Sequence, residues 1–114
     1  MSVSKLFLNE LLDYAAKDSF WFKDFVEPKM TGFKTEHKYW EEGDFGSLNQ
    51  IEFNSRKIGG NIDFWGSGFL GIFVWDYERD LEIMNVLLET DEIKEQKNAF
   101  RKLLKLLLKV KTEK

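Results

Sequence analysis

The chain contains no cysteine. That removes disulfides, thiolate metal sites and cysteine nucleophiles together, and it suits a reducing compartment. A single histidine, His37, leaves any zinc site to be completed by carboxylates and gives a serine triad one candidate base. Its neighbours in "KTEHKYWEE" are polar and charged, so His37 reads as an exposed loop residue. The one proline, Pro28, closes the apolar run "DSFWFKDFVEP", whose period is ambiguous. No window of about 18 uncharged apolar residues exists, so no membrane span is expected. At the start, Leu6-Phe7-Leu8 is cut short by Asn9 and Glu10, too brief for the apolar region of a signal peptide. The expectation is a cytoplasmic protein. Neither an internal repeat nor a low-complexity linker interrupts the chain.

What is present is apolar and aromatic. The 114 residues are 43% hydrophobic and 16% aromatic, ample to offset ordering entropy, so disorder is excluded. Residues 1–114 read as a single domain with room for one core. The net charge of −3 hides an asymmetry. Residues 1–92 hold 18 acidic and 9 basic side chains, whereas residues 93–114 hold 2 acidic and 8 basic ones. An acidic body repels nucleic-acid phosphates and attracts cationic partners.

Local pattern assigns the ends of the chain to helices. Val3, Phe7, Leu11 and Ala15 recur at helical spacing through Val3 to Lys17, flanked by Leu8 and Leu12, with Ser2 or Ser4 as N-cap. Thr90 is placed to cap a long final helix, acidic in its first turn and lysine-rich at its end, as the helix dipole favours. Ile93, Phe100, Leu103, Leu104, Leu106, Leu107, Leu108 and Val110 span an arc of about 200°. That breadth suits packing on a sheet, with lysine stems along the edges. The stretch "KMTGFKTEHKYWEEGDFGS" reads as loop with at most one short strand.

The middle alternates. "IEFNSRKIGGNIDFW" carries two strand patterns joined through Gly59-Gly60, read as a two-residue hairpin turn. Ile51, Phe53, Ile62 and Phe64 then share one face; Glu52, Asn54, Arg56, Asp63 and Trp65 share the other. "FWGSGFLGIFVW" contains G-x-G-x-x-G at Gly66, Gly68 and Gly71. A phosphate-binding fingerprint needs a helix directly after the glycines. Here "IFVWDY" follows, which is strand composition. Gly66-Ser67-Gly68 is therefore a three-residue turn with Trp65 opposite Phe69. After "ERD", Leu81, Ile83 and Leu87 alternate as in a strand, while Leu81, Met84, Asn85 and Leu88 fit a helix; the meander spacing favours the strand.

Chemistry-bearing residues are few. Glu41, Glu42 and Asp44 cluster beside Trp40, as a solvated acidic loop, a carboxylate pair or an anchored docking loop. Trp65, Phe69, Phe73, Trp75 and Tyr77 alternate outward, and five uncovered rings would expose on the order of 1,000 Å². A soluble monomer seldom exposes a patch above roughly 300–600 Å². The N-terminal region, a second copy or a partner protein must cover part of that face. Polar residues such as Glu52 and Asp63 border it, as in a binding surface.

The run "GGNIDFWGSGFLGIFVWDY", with the acidic segment and long helix after it, resembles small bacterial immunity proteins. These belong to contact-dependent inhibition and other polymorphic toxin systems. The resemblance implies a protein that binds the C-terminal domain of its cognate toxin and blocks that domain's active site or substrate surface. It carries no catalytic residues, no metal and no cofactor.

Taken together, the residues predict an α+β fold. It comprises an N-terminal helical region, an antiparallel meander of three to five strands and a long C-terminal helix packed on the sheet. The expected function is non-enzymatic binding of a toxin domain with a cationic surface, with a homodimer as a further option. The expected contacts are Trp40, Glu41, Glu42, Asp44, Asp63, Trp65, Asp76 and Glu78. The alternatives are a small hydrolase using carboxylates and a peripheral membrane adaptor using the basic helix.

Overall fold

A computed structural model describes residues 2–14 and 17–110. In chain order the elements are β1 (Ser2–Val3), α1 (Lys5–Leu12), α2 (Ser19–Trp21), β2 (Lys34–Gly43), β3 (Gly46–Asn54), β4 (Ile58–Trp65), β5 (Leu70–Asp76), β6 (Leu81–Leu88), α3 (Ile93–Leu107) and β7 (Lys109–Val110). The fold is α+β. The chain forms two compact units, Met1–Thr31 with Lys97–Lys114, and Gly32–Gln96.

In the first unit, α1 starts where Ser4 accepts a hydrogen bond on Oγ from the Phe7 backbone N–H at 3.1 Å. This satisfies a donor that has no partner within the helix. Leu8, Leu11 and Leu12 are its buried residues, at helical spacing. Val3 lies outside the expected helix, in β1, which pairs in parallel with β7. Ala15 falls outside the described residues. Asp18 caps α2 through the Trp21 N–H at 2.9 Å. The chain then continues as a π-helical stretch, Phe22–Val26, and a tighter turn, Glu27–Lys29, which contains Pro28. Trp21 meets the Phe100 ring edge-on at 5.1 Å, and Phe22 and Phe100 are fully buried. Burial of each such side chain contributes about 1.5–3 kcal/mol.

α3 buries Ala99, Phe100, Leu103, Leu104 and Leu107. Its apolar arc is narrower than the sequence pattern implies: Ile93 is 73% exposed. Ile93 opens the helix, beyond the segment where Phe100 and the leucines pack. Thr90 does not cap α3. The helix begins after Glu92, whose carbonyl accepts from Gln96 N, while the Thr90 hydroxyl donates to the Ser67 carbonyl at 2.6 Å.

The second unit is a five-stranded antiparallel meander in the order β2-β3-β4-β5-β6. Ile51, Ile62, Ile72 and Val86 form one cross-strand row. Phe53, Gly60, Val74 and Met84 form the next row on the same face. These side chains are largely buried. The β4–β5 turn follows the sequence reading: Trp65 N–H donates to Phe69 O at 3.1 Å, and Gly68 has φ +97°. Phe64 faces Leu70 and Ile62 faces Ile72. The segment 81–88 is a strand.

Within the sheet, two expectations are corrected. Gly59 and Gly60 are not a turn; they lie inside β4, paired with Asn54 and Phe53. The turn is Ser55-Arg56-Lys57. Its first residue binds its own loop: Ser55 Oγ accepts from the N–H groups of Lys57 and Ile58, each at 3.2 Å. The expected pairing was displaced by an even number of residues, so the face assignments survive although the partners do not. Arg56 consequently leaves the sheet face. The glycines have a packing reason: a Cβ on Gly60 would collide with the Phe73 carbonyl oxygen, and one on Gly59 with the Asn54 amide and the Tyr77 hydroxyl.

The second correction concerns the expected loop. Residues 34–43 form a ten-residue edge strand, exposed throughout. With neither side buried, it has no apolar alternation to announce it. His37 and Trp40 therefore sit on a strand, opposite Ile51 and Leu48.

Gly60→Ala is expected to lower unfolding free energy by about 1–3 kcal/mol, because backbone atoms on β5 must shift to admit the methyl group. Urea denaturation of both proteins measures this; an unchanged midpoint would mean the strands have slack at that row.

Candidate functional site

Beyond the Leu48–Trp65 row, the face of the sheet opposite the isoleucine row is polar on β3 and β4 and aromatic on β5. Gln50 lies opposite Asp63, and Glu52 opposite Asn61, which lies opposite Phe73. Gly59 lies opposite Trp75. Together these positions form an open groove of about 480 Å³, lying wholly within Gly32–Gln96. One wall carries Gln50, Glu52, Asn54 and Asn61. The other carries Phe73, Trp75 and Tyr77, with Gly59 and Gly60 between them.

Each wall is held by local contacts. Asp63 Oδ1 accepts from Gln50 Nε2 at 2.8 Å and from Asn61 Nδ2 at 3.1 Å, which fixes both amides. The Tyr77 hydroxyl reaches across the missing side chain of Gly59 and donates to Asn54 Oδ1. Phe73 and Trp75 stack at 6.4 Å along β5. Lys38, from the neighbouring edge strand, pairs with Glu52. The Glu52 carboxylate, by hydrogen bond and by charge, holds the Lys38 ammonium above its usual pKa.

The expected contact residues fall into two groups. Trp40, Leu48 and Trp65 form one cross-strand row, with Glu41, Glu42 and Asp44 exposed just beyond Trp40. Asp63 lies on the same face as Trp65, where its carboxylate is half-buried and engaged by the two amides. Phe45, from the β2–β3 turn, meets the Trp65 ring edge-on at 5.2 Å and stacks on Phe69 at 4.3 Å. Part of the aromatic face is thus covered from within its own unit, and Phe73 and Trp75 remain at the groove.

Asp76 and Glu78 belong elsewhere, at the far end of the sheet. Asp76 is on the buried face, 6% exposed, and ties the β5–β6 turn. Its Oδ1 accepts from the Glu78 and Arg79 N–H groups at 2.9 and 3.0 Å, and its Oδ2 from Arg79 Nε at 2.7 Å. Asp76 is therefore a turn clamp and not an exposed contact. None of the eight expected contacts lines the groove: Glu52, Asn54, Phe73, Trp75 and Tyr77 were placed on the outward face but not among the contacts, and Gln50 and Asn61 were missed altogether. A readable clue existed: β3 and β4 are polar on the outward positions where β5 is aromatic. Among the described residues, no group of three or more His, Asp or Glu is placed to hold a metal ion.

The hydrogen bonds from the Arg79 backbone and guanidinium hold the Asp76 carboxyl below its ordinary value of 3.8. A depressed folded-state pKa contributes stability that is present above the unfolded value and lost as pH falls through the folded one. Asp76→Asn is therefore expected to lower the urea midpoint at pH 7 and to flatten the loss of stability below pH 3.8. Parallel acid slopes for the two proteins would show that Asp76 is not the titrating group. No family model, curated protein or solved structure matches the chain.

Proposed function

We propose that this chain is a non-catalytic protein-binding module, an immunity protein that binds and neutralises a cognate bacterial toxin domain. The observation that carries the reading is the groove. A sheet face that keeps Phe73 and Trp75 half-exposed beside fixed amides and carboxylates has the makeup of a docking surface, with aromatic anchors inside a polar rim. The exposed acidic end at Glu41, Glu42 and Asp44 adds long-range attraction for a cationic partner. The resemblance of Gly59–Tyr77 to immunity proteins supplies the class of partner.

Two further observations support binding over the alternatives. On the groove face, the Asp63 carboxylate is engaged by Gln50 and Asn61, and Glu52 carries an exposed pair with Lys38. Of the apolar residues of α3 that would enter a bilayer interface, Phe100, Leu103, Leu104 and Leu107 are buried.

Affinity capture from the native cell tests the reading, followed by assay of the recovered domain. The expected result is one stoichiometric toxin domain whose activity is abolished by adding this protein. Recovery of a toxin that stays active in the complex would defeat it. Replacing Glu41, Glu42 and Asp44 with lysine should slow association about tenfold at low salt and weaken its salt dependence. Unchanged association rates would remove that end of the sheet from the encounter.

A further inference from the structure

We infer that the groove receives an arginine side chain of the bound protein: its guanidinium stacks on Trp75 and donates to Glu52 and to the carbonyl oxygens of Gln50 and Asn61. The inference rests on the protein-docking reading above and names the chemistry of its central contact.

Donors and acceptors select the occupant. Gln50 and Asn61 each spend an N–H on Asp63, and Tyr77 spends its hydroxyl hydrogen on Asn54. An amide oxygen accepts two hydrogen bonds and a carboxylate about four, so the groove has more accepting than donating capacity left. It also carries the negative charge of Glu52, with that of Asp63 behind the Gln50 and Asn61 amides. Each hydroxyl of a sugar offers one donor and two acceptor sites, so a sugar would leave that surplus unmet. A guanidinium offers five donors, no acceptor and a permanent positive charge. Its flat face also matches the Phe73–Trp75 wall, since a cation over an aromatic ring gains from the ring quadrupole. The chain's own Lys38 already places a cation on Glu52 from the rim. That pair is 40% and 31% exposed at its two side chains, so it competes weakly with a better-shaped cation. The volume, about 480 Å³, is of ligand size.

The test is NMR titration of the isotopically labelled full chain with acetyl-Gly-Arg-Gly-amide, followed by the lysine and citrulline equivalents and by methyl glucoside. The arginine peptide should shift the Trp75 indole and the Gln50 and Asn61 amide signals saturably, with a millimolar Kd, and leave the Trp21 indole unmoved. The citrulline peptide, neutral and nearly isosteric, should bind about tenfold more weakly. Glu52→Gln, which keeps the shape, should weaken the arginine peptide about fivefold without altering the rest of the spectrum. Equal binding of arginine and citrulline, or no saturable shift in the groove, overturns the arginine assignment. The docking reading is judged separately: it stands if the intact toxin domain perturbs the same signals, and it falls with the arginine assignment if methyl glucoside alone occupies the groove.

Discussion

Each cross-strand row of the meander commits its residues to one side. Ile51, Ile62 and Ile72 share a row, and Glu52, Asn61 and Phe73 share the adjacent one. Pleating sends consecutive side chains to opposite faces, so burying the first row obliges the second to point outward. The groove's composition is therefore a by-product of core formation. Placing the isoleucines inside simultaneously aims a carboxylate, an amide and an aromatic ring at the same patch of surface. A slip of one residue in β4 would destroy the core and the groove together.

Glycine turns that patch from a flat face into a recess. Glycine in a central strand ordinarily weakens it, through lost side-chain packing and greater backbone freedom in the unfolded chain. Here Gly60 lets β4 approach the Phe73 carbonyl, and Gly59 leaves the space through which Tyr77 reaches Asn54. The outward face gives up a side chain at Gly59, and the surface gains a depression with a hydrogen-bonded end. The same pair that looks like a hinge in one dimension is a floor in three.

Acidity, too, is reorganised by the fold. Asp76 is spent on a turn, Asp63 on orienting two amides and Glu52 on Lys38, whereas Glu41, Glu42 and Asp44 stay exposed at the end of the edge strand. A count of carboxylates treats all of these alike. Their contacts divide them into groups that build the surface and groups that project charge from it, and only the second kind can steer a distant partner.

Much of this was readable in one dimension because it depends on neighbours close in the chain. The Ser4 cap, the Gly66-Ser67-Gly68 turn, the inward face of β3, β4 and β5, and the α+β class all follow from residues within a turn or two of one another. What failed were features set by distant partners. Gly59-Gly60 has a local preference for turning, but Ser55 closes the loop earlier and strand β5 demands the glycines for close approach. The edge strand β2 carries no apolar alternation, since it is recognised only by its hydrogen bonds to β3. Alternation along the chain determined which face each residue takes. Which residues stand side by side on that face, and hence the groove, was decided by strand pairing, because register joins residues that local sequence leaves independent.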